Sequence, residues 1–375
     1  MNHQSEALER FFGVDPYGVP HAEKVQMMRA RLSEALVDQQ RRCPAYASLL
    51  NVFAQAAIPG EYDTNPRPDD ADLRIDNFPF VPVRLFKSHR LCSVSDKAVK
   101  KVLTSSGTSG QQRSKIYLDA QTMQNQKRAL QRILHSFIGP HRLPLMIFDS
   151  PLTLKDRSAF GARGAGILGF SVYGCDIHYA LDKSMHLNRA SIDDFLDKYA
   201  GQPILIFGYT YMIWRYIVQA SMDAHLRWNF GPQAQLFHVG GWKKLQAESV
   251  SSDSFCKGLY QTMGIASVRN YYGMAEQLGS IYVECECHHL HASVFSDVII
   301  RDPFDFSVLK HGQEGLVEVI SVLPHSYPGH CLLTEDRGIV LGEDDCPCGR
   351  KGVYFSLCGR IAQAELRGCS DTYGK

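Results

Sequence analysis

The chain has 375 residues, of which 45% are apolar and 21% charged, the composition of a globular protein with room for more than one hydrophobic core, since single cores stop growing near about 250–300 residues. Forty Lys and Arg against 39 Asp and Glu leave a formal charge of +1 with no block of either sign, which argues against a nucleic-acid or membrane-surface protein. The longest apolar-rich stretch, Tyr199 to Trp214, is interrupted by Gly201, Gln202, Pro203 and Gly208 and falls short of the roughly 20 residues that span a bilayer. Met1 to Pro16 carries Glu6, Glu9 and Arg10 and no apolar run, so no secretory signal is expected and the chain is assigned to the cytoplasm. Its 11 cysteines then read as reduced thiols, metal ligands or nucleophiles.

In chain order, Val25, Met28, Leu32 and Leu36 recur near every 3.6 residues and predict a helical layer from Glu23 to Phe53. Pro59 to Pro82, rich in Pro, Asp and Asn, reads as a connection leading to Arg84-Leu85-Phe86-Lys87. From Lys101 onward, β-rich runs at Leu145 to Phe148, Ile204 to Phe207, Leu236 to Val239, Val298 to Ile300 and Leu316 to Ser321 alternate with helical stretches at Thr122 to Phe137, Ile192 to Lys198 and Tyr211 to Met222. The alternation predicts an α/β fold with mainly parallel sheets.

The clearest local signal is Thr104-Ser105-Ser106-Gly107-Thr108-Ser109-Gly110, followed by Lys115. Hydroxyls and glycines at this density let the backbone turn tightly and aim N–H and O–H donors at phosphate oxygens, with Lys115 as a point charge. Val102-Leu103 before it and Ile116-Tyr117-Leu118 after it read as two strands joined by the loop, which a plain Ser/Gly linker would not need.

This loop resembles that of the adenylate-forming enzymes, and further stretches follow in the order of that superfamily. His238-Val239-Gly240-Gly241-Trp242-Lys243-Lys244-Leu245 resembles the segment against adenine, and Tyr271-Tyr272-Gly273-Met274-Ala275-Glu276 the motif whose ring lies near adenine and whose Glu helps hold Mg²⁺. Leu333-Thr334-Glu335-Asp336 resembles the Thr-Gly-Asp motif whose Asp holds the ribose, with Glu335 in place of Gly, and Cys358-Gly359-Arg360 the Gly-Arg before the hinge. Phe80 to Lys87, Phe207-Gly208-Tyr209-Thr210 and Ala364 to Cys369 bring the chain closest to the acyl-protein synthetase (LuxE-like) branch, which is similar to phenylacetate-CoA ligases.

The resemblance implies an α/β large domain of the adenylate-forming type: a helical layer and linker at 1–77, the adenylate-forming core at 78–334 and a short segment at 335–375. It implies an ATP-dependent acyl ligase with ATP and Mg²⁺, converting a carboxylic acid, expected to be a fatty acid, to acyl-AMP. Nucleotide contacts fall to Thr104 through Gly110, Gly240, Gly241, Tyr272, Gly273, Asp336 and Arg360, and catalytic roles to Lys115, Glu276 (also the Mg²⁺ ligand) and Cys369. Only residues 361–375 follow Arg360, so the mobile lysine-bearing domain of the wider superfamily is expected to be absent. In the acyl-protein synthetase branch a cysteine near the C-terminus takes the acyl group as a thioester and passes it to a partner such as a reductase, transferase or carrier protein; Cys369 stands in that place. The alternatives are a ligase loading CoA or a carrier arm without Cys369, and a non-catalytic acyl- or nucleotide-binding subunit.

Cys285-x-Cys287-His288-His289-x-His291 and Cys346-Pro347-Cys348 offer soft and imidazole donors at short spacing. A structural Zn²⁺ on Cys287, His291, Cys346 and Cys348 is the metal expectation, with Cys285, His288 and His289 as alternative ligands and buried reduced cysteines as the plainer reading.

Overall fold

The computed structural model describes residues 3–56, 74–105, 113–155, 162–199, 201–242 and 248–361. Three helices lead: α1 (His3–Gly13), α2 (His21–Arg42) and α3 (Pro44–Ala56). The single run expected from Glu23 to Phe53 is two helices, because Cys43 is extended and Pro44, with no N–H to donate, opens a new one. There follow β1 (Val81–Pro82), α4 (Leu85–Ser88), β2 (Lys101–Thr104), β3 (Lys115–Leu118), α5 (Ala120–Ile138), β4 (Leu143–Phe148), α6 (Leu152–Lys155), α7 (Ala162–Ser171), β5 (Gly174–Tyr179), α8 (Arg189–Tyr199) and β6 (Ile204–Tyr209). Next, α9 (Thr210–Met212) continues through a π-helical turn at Ile213–Gln219 into α10 (Ala220–Asp223), and β7 (Ala234–Val239), α11 (Ser252–Met263) and β8 (Ser267–Tyr272) succeed it. The last strands are β9 (Tyr282–Glu284), β10 (Leu290–His291), β11 (Ser296–Arg301), β12 (Glu314–Ser321), β13 (Cys331–Glu343) and β14 (Val353–Arg360).

The chain forms two compact units. One comprises Phe137–Tyr272, built on a parallel sheet in the order β5, β4, β6, β7, β8. Its central strands are near-continuous apolar runs, with Leu145 to Phe148 and Ile204 to Phe207 fully buried, as strands covered on both faces must be. Helix α11 starts on Ser251, whose side chain accepts from Ser254 N, and stops at Gly264 in the left-handed region.

The other unit takes in the described residues up to Ser105, the stretch 113–136 and Gly273 onward. Its main sheet is antiparallel from β11 through β12, β13, β14 and β10 to β9. The runs at Val298 to Ile300 and Leu316 to Ser321, expected among parallel strands, are therefore antiparallel neighbours: no helix lies between them, and a return without a crossover reverses the strand. Strand β1 joins this unit by pairing in parallel with β13 at Leu332 and Leu333. Helix α2 docks through Lys24, whose buried ammonium lies 3.3 Å from Asp297 and donates to Ser296 O, while His21 Nε2 stands 2.9 Å from the other Asp297 oxygen. Among the described residues no helix is long and apolar enough to cross a membrane.

Candidate functional site

In the unit built on the parallel sheet, the sequence-picked residues gather at the carboxyl ends of the strands, where open α/β sheets bind ligands. Gly240 and Gly241 follow β7, and Tyr272 closes β8. Gly240 sits at φ +86, a conformation that favours glycine. Its carbonyl accepts from Thr210 Oγ1 at 2.5 Å, and His238 Nδ1 lies 2.9 Å from the same hydroxyl. Thr210 has one proton and gives it to Gly240, so His238 donates through Nδ1 and keeps Nε2 as an acceptor. Burial lowers the His238 pKa to about 3, which leaves the ring neutral. The sequence quoted His238 and Thr210 in separate stretches, and their contact becomes visible only when the ends of β6 and β7 are side by side.

At the end of β4, Asp149 is fully buried against Arg163 of α7, with a 3.0 Å contact from Nε, and Arg163 Nη2 also donates to Thr153 at 2.7 Å. Burial raises the Asp149 pKa, and the guanidinium opposes that shift. Tyr209 donates to Arg163 O at 3.1 Å, and Gly166 makes room for it, since a β-carbon there would sit 2.2 Å from the phenol oxygen. Phe170 stacks on Phe207 with ring centroids 4.1 Å apart. This face is aromatic, with one buried ion pair.

In the other unit, Thr104 and Lys115 are register partners at the loop end of the β2–β3 hairpin, and Ser105 N donates to Ser114 O at 3.2 Å. The two expected strands are present. Ser106, Gly107, Thr108, Ser109 and Gly110 lie outside the described residues, as do Cys369 and Lys243 to Leu245.

Glu276 lies in a 3₁₀ turn at Ala275–Gln277 and is buried. Tyr327 donates to its carbonyl at 2.9 Å, and the Gln277 amide donates to Val319 O and Gly329 O. These contacts hold the turn, and the sequence pointed to neither Gln277 nor Tyr327. Gly279, at φ +91, lets this segment pass the Gln126 backbone, which a β-carbon would approach to 2.7 Å.

Asp336 and Arg360 are register partners on β13 and β14, joined by a 2.8 Å bond from Nε. Glu335, the residue in place of the superfamily Gly, is buried between Arg84, at 2.7 Å, and Arg360, at 3.6 Å. The substitution therefore adds an anion that ties the segment after β1 to the end of β14.

The cysteine clusters meet. Cys285, His291, Cys346 and Cys348 place one ligand atom each within 4.8 Å of one another. Cys287, expected as a ligand, does not contribute its sulfur to this group. The β9–β10 turn closes with Cys285 N donating to His289 O, which directs the first cysteine inward and leaves Cys287 to donate its backbone N–H to Cys285 Sγ at 3.3 Å.

Comparison with known proteins agrees with this architecture. The family model described as "Acyl-protein synthetase, LuxE" matches residues 2–375. A long-chain-fatty-acid–luciferin-component ligase of Vibrio harveyi is 24% identical over 79% of this chain and 77% of the relative. The protein of the same name from Aliivibrio fischeri is 22% identical over 82% of this chain and 81% of its own. Among solved structures, 2-hydroxyisobutyryl-CoA ligase in an open conformation with 2-HIB-AMP and CoA superposes with a TM-score of 0.65 at 18% identity, covering 93% of this chain and 77% of the other. That likeness places the fold among the adenylate-forming ligases.

Proposed function

The chain belongs to the acyl-protein synthetase (LuxE) family and is a ligase, and from this premise we propose that it activates a long-chain fatty acid with ATP and passes the acyl group first to Cys369 and then to a partner protein. A carboxylate is a poor acyl donor because oxide is a poor leaving group. In the first step a carboxylate oxygen bonds to the α-phosphorus of ATP and the bond to pyrophosphate breaks. In the second, the Cys369 thiolate bonds to the acyl carbon, AMP leaves and a thioester remains.

The observation that carries the reading is the pairing of Asp336 with Arg360 on adjacent strands, since Asp336 falls in the motif that resembles the ribose-binding one and Arg360 in the Gly-Arg that resembles the one before the hinge. Two anions must approach in the first step, so charge must be screened. Lys115, at the loop end of its hairpin, supplies a cation. Glu276 is a hard oxygen donor on a turn held by Tyr327 and Gln277, which suits Mg²⁺; the ion, when bound, neutralises phosphate charge. Gly240, fixed by Thr210, offers a surface that a flat base can approach closely.

Mass spectrometry of the protein incubated with ATP, Mg²⁺ and a panel of fatty acids tests the acceptor. The expected result is an acyl mass on the Cys369 peptide, absent in Cys369→Ala. Normal acyl transfer by Cys369→Ala to CoA or a carrier arm would replace this reading with direct loading.

A further inference from the structure

The geometry points to a structural Zn²⁺ site formed by Cys285, His291, Cys346 and Cys348, made of residues distinct from the nucleotide residues and taking no chemical part in the proposed reaction. The donors come from two separate connections: Cys285 and His291 flank the β9–β10 turn, and Cys346 and Cys348 lie between β13 and β14. Zn–S bonds of about 2.3 Å and Zn–N bonds of about 2.0–2.1 Å put tetrahedral edges at about 3.8 Å between sulfurs and about 3.5 Å between sulfur and nitrogen. Two of the six edges are 3.9 Å, from Cys285 Sγ to Cys346 Sγ, and 3.4 Å, from Cys348 Sγ to His291 Nε2, and all six lie within 4.8 Å. A sulfur pair 3.9 Å apart is not a disulfide, whose bond is near about 2.05 Å.

Packing of thiols as small hydrophobes does not account for the arrangement, because it gives no reason for the nitrogen of a fully buried imidazole to join three sulfurs around one centre. Three thiolates and one imidazole fill a tetrahedron, so no position is left for water or substrate, and the soft donor set favours Zn²⁺ over Mg²⁺ or Ca²⁺. Three thiolates around a dication leave one negative charge. Arg350, which hydrogen-bonds Cys348, lies beside it. The surroundings also fit: Cys287 N donates to Cys285 Sγ at 3.3 Å, and His289 Nδ1 is 3.3 Å from Cys346 Sγ, an outer set of donors of the kind that orients thiolate ligands.

The fold gives such a clip a use. The β13–β14 ladder shifts register twice, between Arg337 and Gly338 and between Val340 and Gly342, so its pairing is weakly specified by pleat alone. Fixing the closed end of that hairpin to the β9–β10 turn sets the register that places Asp336 opposite Arg360.

The test is metal analysis of the full chain purified without chelator, together with the absorption spectrum after Co²⁺ replacement. The expected result is about one zinc per chain, with thiolate-to-cobalt charge-transfer bands scaled to three sulfurs. Cys287→Ser keeps the metal, whereas Cys285→Ser and His291→Ala bind it on the order of 100-fold or more weakly, since loss of an outer partner alone costs about 10–100-fold. A protein that holds no zinc and takes up none tightly overturns the proposal. So does loss of metal in Cys287→Ser with retention in Cys285→Ser. If the ligand variants fail to fold, the wild-type stoichiometry, its cobalt spectrum and Cys287→Ser still decide.

Discussion

Thr210 shows how one hydroxyl can set the conformation of a binding segment. It joins the Gly240 carbonyl to His238, and both partners lie at the end of β7. Thr210→Val keeps the shape but removes the buried His238 imidazole's partner and releases the exposed Gly240 carbonyl to water, a loss of about 1–3 kcal/mol. We expect this variant to bind ATP about fivefold to tenfold more weakly, as about 1 kcal/mol released at the nucleotide face requires; calorimetric titration checks it, and unchanged affinity would detach Gly240 from the nucleotide. At this scale the sequence was legible where a motif has a fixed spacing. Gly240, Asp336 and Glu276 are proposed on that ground. The contacts of Thr210, Arg163 and Tyr327 were not legible, because they arise when distant segments meet. The choice of Cys285 over Cys287 depends on the direction each side chain takes from a tight turn, which spacing does not encode.

Among the elements, the leading helices are held by buried charge as much as by apolar faces. Lys24 of α2 and His21 at its start share the Asp297 carboxylate of β11. Lys24→Ala would strand that carboxylate with one partner, and breaking a buried pair costs about 3–5 kcal/mol; urea unfolding should show the loss. Asp119 caps α5 by accepting from Thr122 N at 2.8 Å and also meets His325. Burial alone would raise both acids, but the bonds and nearby cations win: His325 and Thr122 hold Asp119 at about 2, and Lys24 and His21 hold Asp297 at about 2. A depressed carboxylate contributes stability that is fully present above its ordinary value near 3.8 and is lost as pH falls through about 2. Melting temperature should therefore fall steeply between those values, less steeply in Asp119→Asn. The parallel strands were readable as apolar runs between helices. The antiparallel ones were not separable from them, since both are buried on two faces and only the connection distinguishes them.

For the whole molecule, the α/β class and the ordered motifs were legible, while the way the ends of the chain combine was not. Residues near the start supply β1 to β13, and Arg84 reaches Glu335 across 251 positions of sequence. No local pattern marks such a pairing. One unit carries the strand ends after β6, β7 and β8, and the other carries Asp336 and Arg360 on β13 and β14 and the turn at Glu276. The account requires that this chemistry begin with attack of a carboxylate on ATP. Fatty-acid-dependent exchange of labelled pyrophosphate into ATP measures that step without needing Cys369 or a partner. The account predicts exchange that depends on the acid, persists in Cys369→Ala and is abolished in Asp336→Ala; a pure, folded protein that binds ATP yet shows no exchange with any fatty acid would contradict it.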